Sequence, residues 1–161
     1  MAQTVDITEI EERLNDFDPA TRRTALEELA IGGSALPEEG TNVNMHFHSF
    51  FSYNARDYSP SRIAWEARKA GLYAAGLCDF DVLDGLEEFL CAGATLGLRA
   101  TVNLETRAYL KEYAEHDISS PGEPGVTYIM GAGFAHLPED GSPQAEGLAG
   151  YRGFRGVRPK V

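Results

Sequence analysis

Along the first forty residues, apolar side chains recur at helical spacing. Ile7, Ile10, Leu14 and Phe17 fall on one face. Asp6 stands where a cap is needed and Glu9 follows three residues on, as in a capping box. Asp18-Pro19 restarts a second helix, with an acceptor at the cap and proline in the first turn. Ala25, Leu26 and Leu29 form its apolar stripe, Gly32-Gly33-Ser34 ends it, and Leu36-Pro37-Glu38-Glu39-Gly40 reads as a linker. The pattern thus predicts a helical N-terminal segment over 1–40 that prefaces the rest of the chain.

From Val43 the apolar runs shorten. Val43 to Phe47 reads as a strand, and His48 to Tyr58 as a loop rich in aromatics: Phe50, Phe51, Tyr53 and Tyr58. Ser59-Pro60 opens a helix with Ile63, Ala64, Ala67 and Ala70 inward and Gly71 as its stop. Leu72 to Leu77 is a fully apolar strand. Asp84 is placed to cap a helix carrying Leu86, Phe89, Leu90 and Ala94, which stops at Gly97. Leu98 to Leu104 is a third strand and Val126 to Met130 a fourth. Between Arg107 and Gly125 no period stands out, and Ser119 to Gly125 is turn-rich. The stretch 141–161 is rich in Gly, Arg and Pro and poor in large apolar residues, so a disordered tail is expected there.

Strand, helix, strand, helix, strand at this spacing predicts βαβ units and a parallel sheet over 41–140. In such sheets, sites form at the carboxyl ends of the strands. His46 and His48 follow the first strand, Asp79 and Asp81 the second, and Glu105 the third. Two histidines separated by one residue on a β-type run point the same way and can share one metal ion. Glu105 can bridge ions through its two oxygens. Asp79 or Asp81 either ligates directly or fixes a histidine ring from behind. Arg107, two residues beyond Glu105, either clamps a phosphate oxygen or neutralises Glu105, Asp79 or Asp81. Asp84 has no chemistry assigned beyond its cap. The loop aromatics either wall a pocket or pack. His116 lies in the irregular polar region, and His136 follows the fourth strand as a faint further ligand candidate.

Net charge is −11, from 14 basic and 25 acidic residues. That disfavours general nucleic-acid binding, which needs a basic surface. It leaves room for a small anionic substrate beside a bound cation. No apolar run is long enough to cross a bilayer, and the acidic, amphipathic N-terminus does not read as a secretory signal. Cys78 and Cys91 lack zinc-knuckle spacing and are expected to be reduced thiols in the cytoplasm.

These residues resemble the polymerase-and-histidinol-phosphatase (PHP) domain family. Its opening Asp-Leu-His-x-His-Thr/Ser pattern is matched by Asn44-Met45-His46-Phe47-His48-Ser49. Its Thr-Asp-His-Asp motif is matched by Cys78-Asp79-Phe80-Asp81, and its Gly-x-Glu motif by Asn103-Leu104-Glu105. The likeness spans about Val43 to Phe134. It implies a distorted β/α barrel, here incomplete, with divalent zinc, manganese or iron. It also implies hydrolysis of a small phosphate ester by metal-bound hydroxide. His46 and His48 would bind one ion, and Glu105 would bridge it to a second. Two departures stand out: Phe80 replaces a ligand histidine, and Asn54 stands where another histidine is often found. A homo-oligomer or a partner is then expected to complete the barrel. The chief alternative is a degenerate, non-catalytic PHP-like binding or regulatory module. A third is an amidohydrolase-type metal barrel, which also begins with His-x-His but wants more histidines than follow Glu105 here.

Overall fold

Both N-terminal helices start where the sequence supplies an acceptor. In α1 (Ile7–Arg13) the Asp6 carboxylate accepts from the Thr8 N–H at 2.9 Å. In α2 (Pro19–Ile31) Asp18 accepts from the N–H groups of Ala20 and Thr21. These bonds satisfy donors that a helix start leaves open. The computed structural model describes residues 6–32, 36–55 and 57–155, with side chains up to residue 150. Gly33 and Ser34, expected to end α2, and positions 156–161 of the expected tail lie outside the described residues.

The sheet is built from β1 (Val43–Phe47), β2 (Ala74–Phe80), β3 (Arg99–Tyr109) and β4 (Val126–Phe134), in the order β1-β2-β3-β4. Helix α3 (Pro60–Lys69) joins β1 to β2, and α4 (Leu86–Leu96) joins β2 to β3. These three strands are parallel, as the βαβ pattern predicts. The fourth is not: β4 runs antiparallel to β3, from Val102↔Phe134 to Tyr109↔Val126. Only a single 3-10 turn, Lys111–Tyr113, lies between them, so no helix carries the chain back to the start of the sheet. The loop instead closes on itself through Leu110 N–H to Gly125 O (2.7 Å) and Gly125 N–H to His116 O (2.9 Å). The described strands therefore form an open mixed sheet.

Two strands are longer than their apolar runs suggest. The β2 strand extends to Phe80 and β3 to Tyr109, so Asp79 and Glu105 lie within strands rather than beyond them. Pairing with β4 is what carries β3 past its apolar stretch. Helix α4 starts with Gly85 at the cap position, one residue later than the Asp84 cap the sequence suggests. The stretch expected to be a disordered tail carries a further helix, α5 (Pro143–Arg155), and Leu148 packs against the core. Ala145, Gly147, Ala149 and Gly150 hide that helix from a search for large apolar residues.

One hydrophobic cluster joins Ile10, Leu14, Leu26 and Leu29 of the N-terminal segment to Ile63, Trp65, Leu86, Phe89, Leu77, Val102 and Leu104. Each fully buried large side chain contributes about 1.5–3 kcal/mol, so the first two helices share the core of the sheet. A buried ion pair fixes their position. Arg22, 3% exposed, donates to Glu88 from Nε (2.9 Å) and Nη2 (2.5 Å), and from Nη1 to the carbonyls of Asp16 and Phe17. Glu88 also accepts from the N–H and hydroxyl of Ser61, which ties α2, α3 and α4 together. With α3 and α4 packed on one face, the pleat sends Asn103, Glu105 and Arg107 to the other.

Candidate metal centre

Three donor atoms converge on that second face. His46 Nε2 lies 3.2 Å from His48 Nε2 and 3.1 Å from Glu105 Oε2, and His48 Nε2 lies 3.5 Å from the same oxygen. Zinc–nitrogen bonds of about 2.0–2.1 Å at octahedral to tetrahedral angles separate neighbouring ligands by about 2.9–3.4 Å. The observed spacings fall at that scale. Two imidazole nitrogens this close repel if both present lone pairs, unless a proton or a cation lies among them. Burial, reinforced by His46, pushes the pKa of His48 below its ordinary 6.5, with Glu105 and the Cys78 backbone opposing. The neutral ring, which is the ligand form, is thereby favoured. Among the described residues, this trio is the group of His, Cys, Asp and Glu donors that fits one cation. The His46 side chain is 41% exposed and that of Glu105 10%, so the cluster opens to solvent on the His46 side. A catalytic metal site needs such an opening.

The surrounding chain holds the two rings in place. Phe80, 3% exposed, stacks on His48 with ring centroids 5.4 Å apart and planes 10° apart. The Nδ1 of His48 is buried without a hydrogen-bond partner among the described residues. Asp79 accepts from the Ser49 N–H and hydroxyl, fixing the residue after His48. Asn103 reaches across the middle strand: its Nδ2 donates to the Met45 carbonyl at 2.9 Å, and its Oδ1 accepts from Gly133 N–H at 3.2 Å. Gly76 makes that crossing possible, because a Cβ there would meet Met45 O at 2.7 Å and Asn103 Nδ2 at 2.8 Å. The carbonyl next to His46 is thus tied to the strand that carries Glu105.

The other candidates separate into distinct places. Asp79 points to Ser49 and stands outside the donor trio. Asp81 accepts from the Thr106 hydroxyl at 2.7 Å, and its backbone, at φ 60°, donates to the Glu105 carbonyl as the chain leaves β2. Arg107 pairs with Glu123 at 3.1 Å, a partner the sequence did not suggest, rather than with Glu105, Asp79 or Asp81. Of the loop aromatics, Tyr53 packs against Phe80 (4.9 Å between centroids), whereas Phe50 packs on Phe17 and Phe51, and Tyr58 on Arg62. Asn54 accepts from the Ser52 hydroxyl at 2.7 Å. Cys78 is buried beside Glu105 and Asp79, and burial first, then those carboxylates, push its pKa up to about 11. It is a thiol at neutral pH and a poor metal ligand. His116 and His136 stand outside the trio. Sequence reading placed Ser49 and Asn103 in motifs without giving them a role, and it missed Gly76 and Glu123. The one signal for Asn103 was its place two residues before Glu105, on the same strand face.

No protein-family model matches this chain, and no curated protein matches it. Its fold is similar to the crystal structure of a candidate metal-dependent phosphoesterase from Bifidobacterium adolescentis, with a TM-score of 0.50 and 20% sequence identity. The match covers 73% of this chain and 35% of the other, so the chain spans about a third of that protein's length. The likeness is one of fold. No described helix is long and apolar enough to cross a membrane.

Proposed function

We propose that this chain is a metal-dependent hydrolase of phosphoesterase type, built on a PHP-like fold and acting on a small phosphate ester. The convergence of His46 Nε2, His48 Nε2 and Glu105 Oε2 carries this reading. These three residues would hold a divalent cation: zinc, manganese or iron. A cation of this kind acidifies water and withdraws charge from a phosphoryl oxygen. The fold neighbour from Bifidobacterium adolescentis supports the same reaction class.

The chain's own residues supply the rest. Asp79 and Ser49 fix the backbone after His48, and Phe80 fixes its ring plane. Arg107 follows Glu105 by two residues on one strand, a separation of about 6.6 Å along the chain. A phosphate resting one oxygen near Glu105 and its bound cation could place another within reach of the Arg107 guanidinium, a planar donor suited to it. Tyr53 and Tyr128 both pack on Phe80, and the Tyr53 ring also lies beside the Arg107 guanidinium.

Metal analysis of the purified protein and turnover of an aryl phosphate test this reading. The expected result is stoichiometric metal, with turnover lost in His46→Ala. A second reading is favoured by Phe80, whose ring fills the space against His48 where a further donor could stand. In that reading the chain is a metal-binding or regulatory module without turnover. Stoichiometric metal with no hydrolysis across a panel of phosphate monoesters and diesters would establish it instead.

A further inference from the structure

The irregular segment between β3 and β4 delivers one carboxylate to Arg107, two residues beyond Glu105 on the same strand. Glu123 Oε1 accepts from Arg107 Nη1 at 3.1 Å. Its other oxygen accepts from the Ser120 hydroxyl at 2.6 Å and the Tyr128 hydroxyl at 2.9 Å. Tyr128 stands directly opposite Arg107 in the β3–β4 register, and its ring packs edge-on against Phe80, 5.8 Å between centroids. Phe80 in turn stacks on His48, and the Tyr53 ring lies 6.0 Å from the Arg107 guanidinium carbon.

Glu123 is therefore anchored by two hydroxyls that do not depend on Arg107. The arginine leans on it through one nitrogen. An arginine side chain on an open rim loses much rotamer entropy when it is fixed. A preset acceptor meets that loss before a ligand arrives, and a single contact leaves the other guanidinium N–H groups to face a phosphate.

We propose that Glu123 is a positioning residue. With Ser120 and Tyr128 it holds Arg107 at the mouth of the metal centre, and so sets the affinity of the site for the phosphoryl group of its substrate. The idea rests on the phosphoesterase reading above, in which Arg107 meets phosphate. It gives the turn-rich loop a role and explains why an arginine beside a metal ligand pairs with a carboxylate from far along the chain.

Calorimetric titration of inorganic phosphate into the zinc-loaded full chain tests the proposal, with zinc content and thermal melting recorded for each variant. Arg107→Ala is expected to weaken phosphate at least about tenfold, the scale of a lost charge-assisted bond. Glu123→Ala is expected to weaken it about threefold to tenfold with zinc content unchanged. Glu123→Gln should recover most of that loss, because its carbonyl still accepts from Arg107 and the two hydroxyls can turn to accept from its amide. In the Arg107→Ala background, Glu123→Ala should have no further effect, since it acts through the arginine. Equal phosphate affinity in wild type and Glu123→Ala, or additive losses in the double variant, would overturn the positioning role while leaving the phosphoesterase reading standing. A zinc-loaded wild type that binds no phosphate would overturn both.

Discussion

Asp79 closes on Ser49 through both carboxylate oxygens: Oδ1 accepts from the backbone N–H and Oδ2 from the hydroxyl, each at 2.6 Å. Both residues are buried, at 2% and 0% exposure, so the pair is shielded from competing water. Removing it leaves two buried donors unmet. Asp79→Ala is expected to cost about 2–4 kcal/mol in urea denaturation. It is also expected to weaken zinc in a competition titration, because Ser49, the residue after His48, loses its anchor. Asp79→Asn should behave far more mildly, because the Ser49 hydroxyl can accept from an amide.

Phe80 touches His48, Tyr53 and Tyr128 at once. Phe80→Ala would open a cavity under all three rings. We expect a loss of about 3–5 kcal/mol in stability, together with weaker zinc binding as the His48 ring loses its backing. Unchanged zinc affinity in a folded Phe80→Ala protein would show that the stacking does not orient the ligand.

Acid should act on the metal centre through His48. Its folded pKa lies below 6.5, owing to burial and then to His46. A ring that binds its proton less readily when folded leaves the unfolded chain with more protons just below pH 6.5. Stability of the metal-free protein therefore falls as pH drops through 6.5 and levels off below the folded pKa. Zinc affinity falls over the range in which the folded ring protonates, because imidazolium has no lone pair to offer. Paired melting and zinc titrations between pH 7.5 and 5 read both effects, and His48→Gln should flatten the first.

A carboxylate far from that centre should govern acid stability at lower pH. Glu11 accepts from Lys69 Nζ and Trp65 Nε1, both at 2.7 Å, and pairs with Arg62 at 3.4 Å, joining α1 to α3. Burial pushes its carboxyl up, but the bonds from Lys69 and Trp65 and the charges of Lys69 and Arg62 outweigh it and hold it below 4.5. The stabilisation is then complete above about pH 4.5 and lost as pH falls through the folded pKa. Glu11→Ala is expected to cost about 2 kcal/mol at neutral pH, and the difference from wild type should shrink on acidification.

Much of this architecture was legible in local chemistry. Asp6, Asp18 and Ser59 announce helix starts because a short polar acceptor meets open N–H groups there, and Ser59 does accept from the Arg62 N–H. Alternation places Glu105 on the face away from Val102 and Leu104, and His-x-His spacing brings two rings together. What escaped reading depends on long-range pairing. Nothing near Val126 states its direction, which follows from the missing helix between β3 and β4. The partner of Arg107 sits 16 positions away in a loop without period. The Asn103 bridge needs Gly76 and Met45 from two other strands.

Glu105 and Arg107 hang from the same side of a strand that is paired along both edges at Glu105 and still paired with β4 at Arg107. The pleat acts as a ruler between them, and loop motion cannot stretch it. Deleting Thr106 would not simply shorten that ruler. It would swing the arginine to the side of the sheet occupied by the helices, so the carboxylate would survive with its cationic companion facing the wrong way.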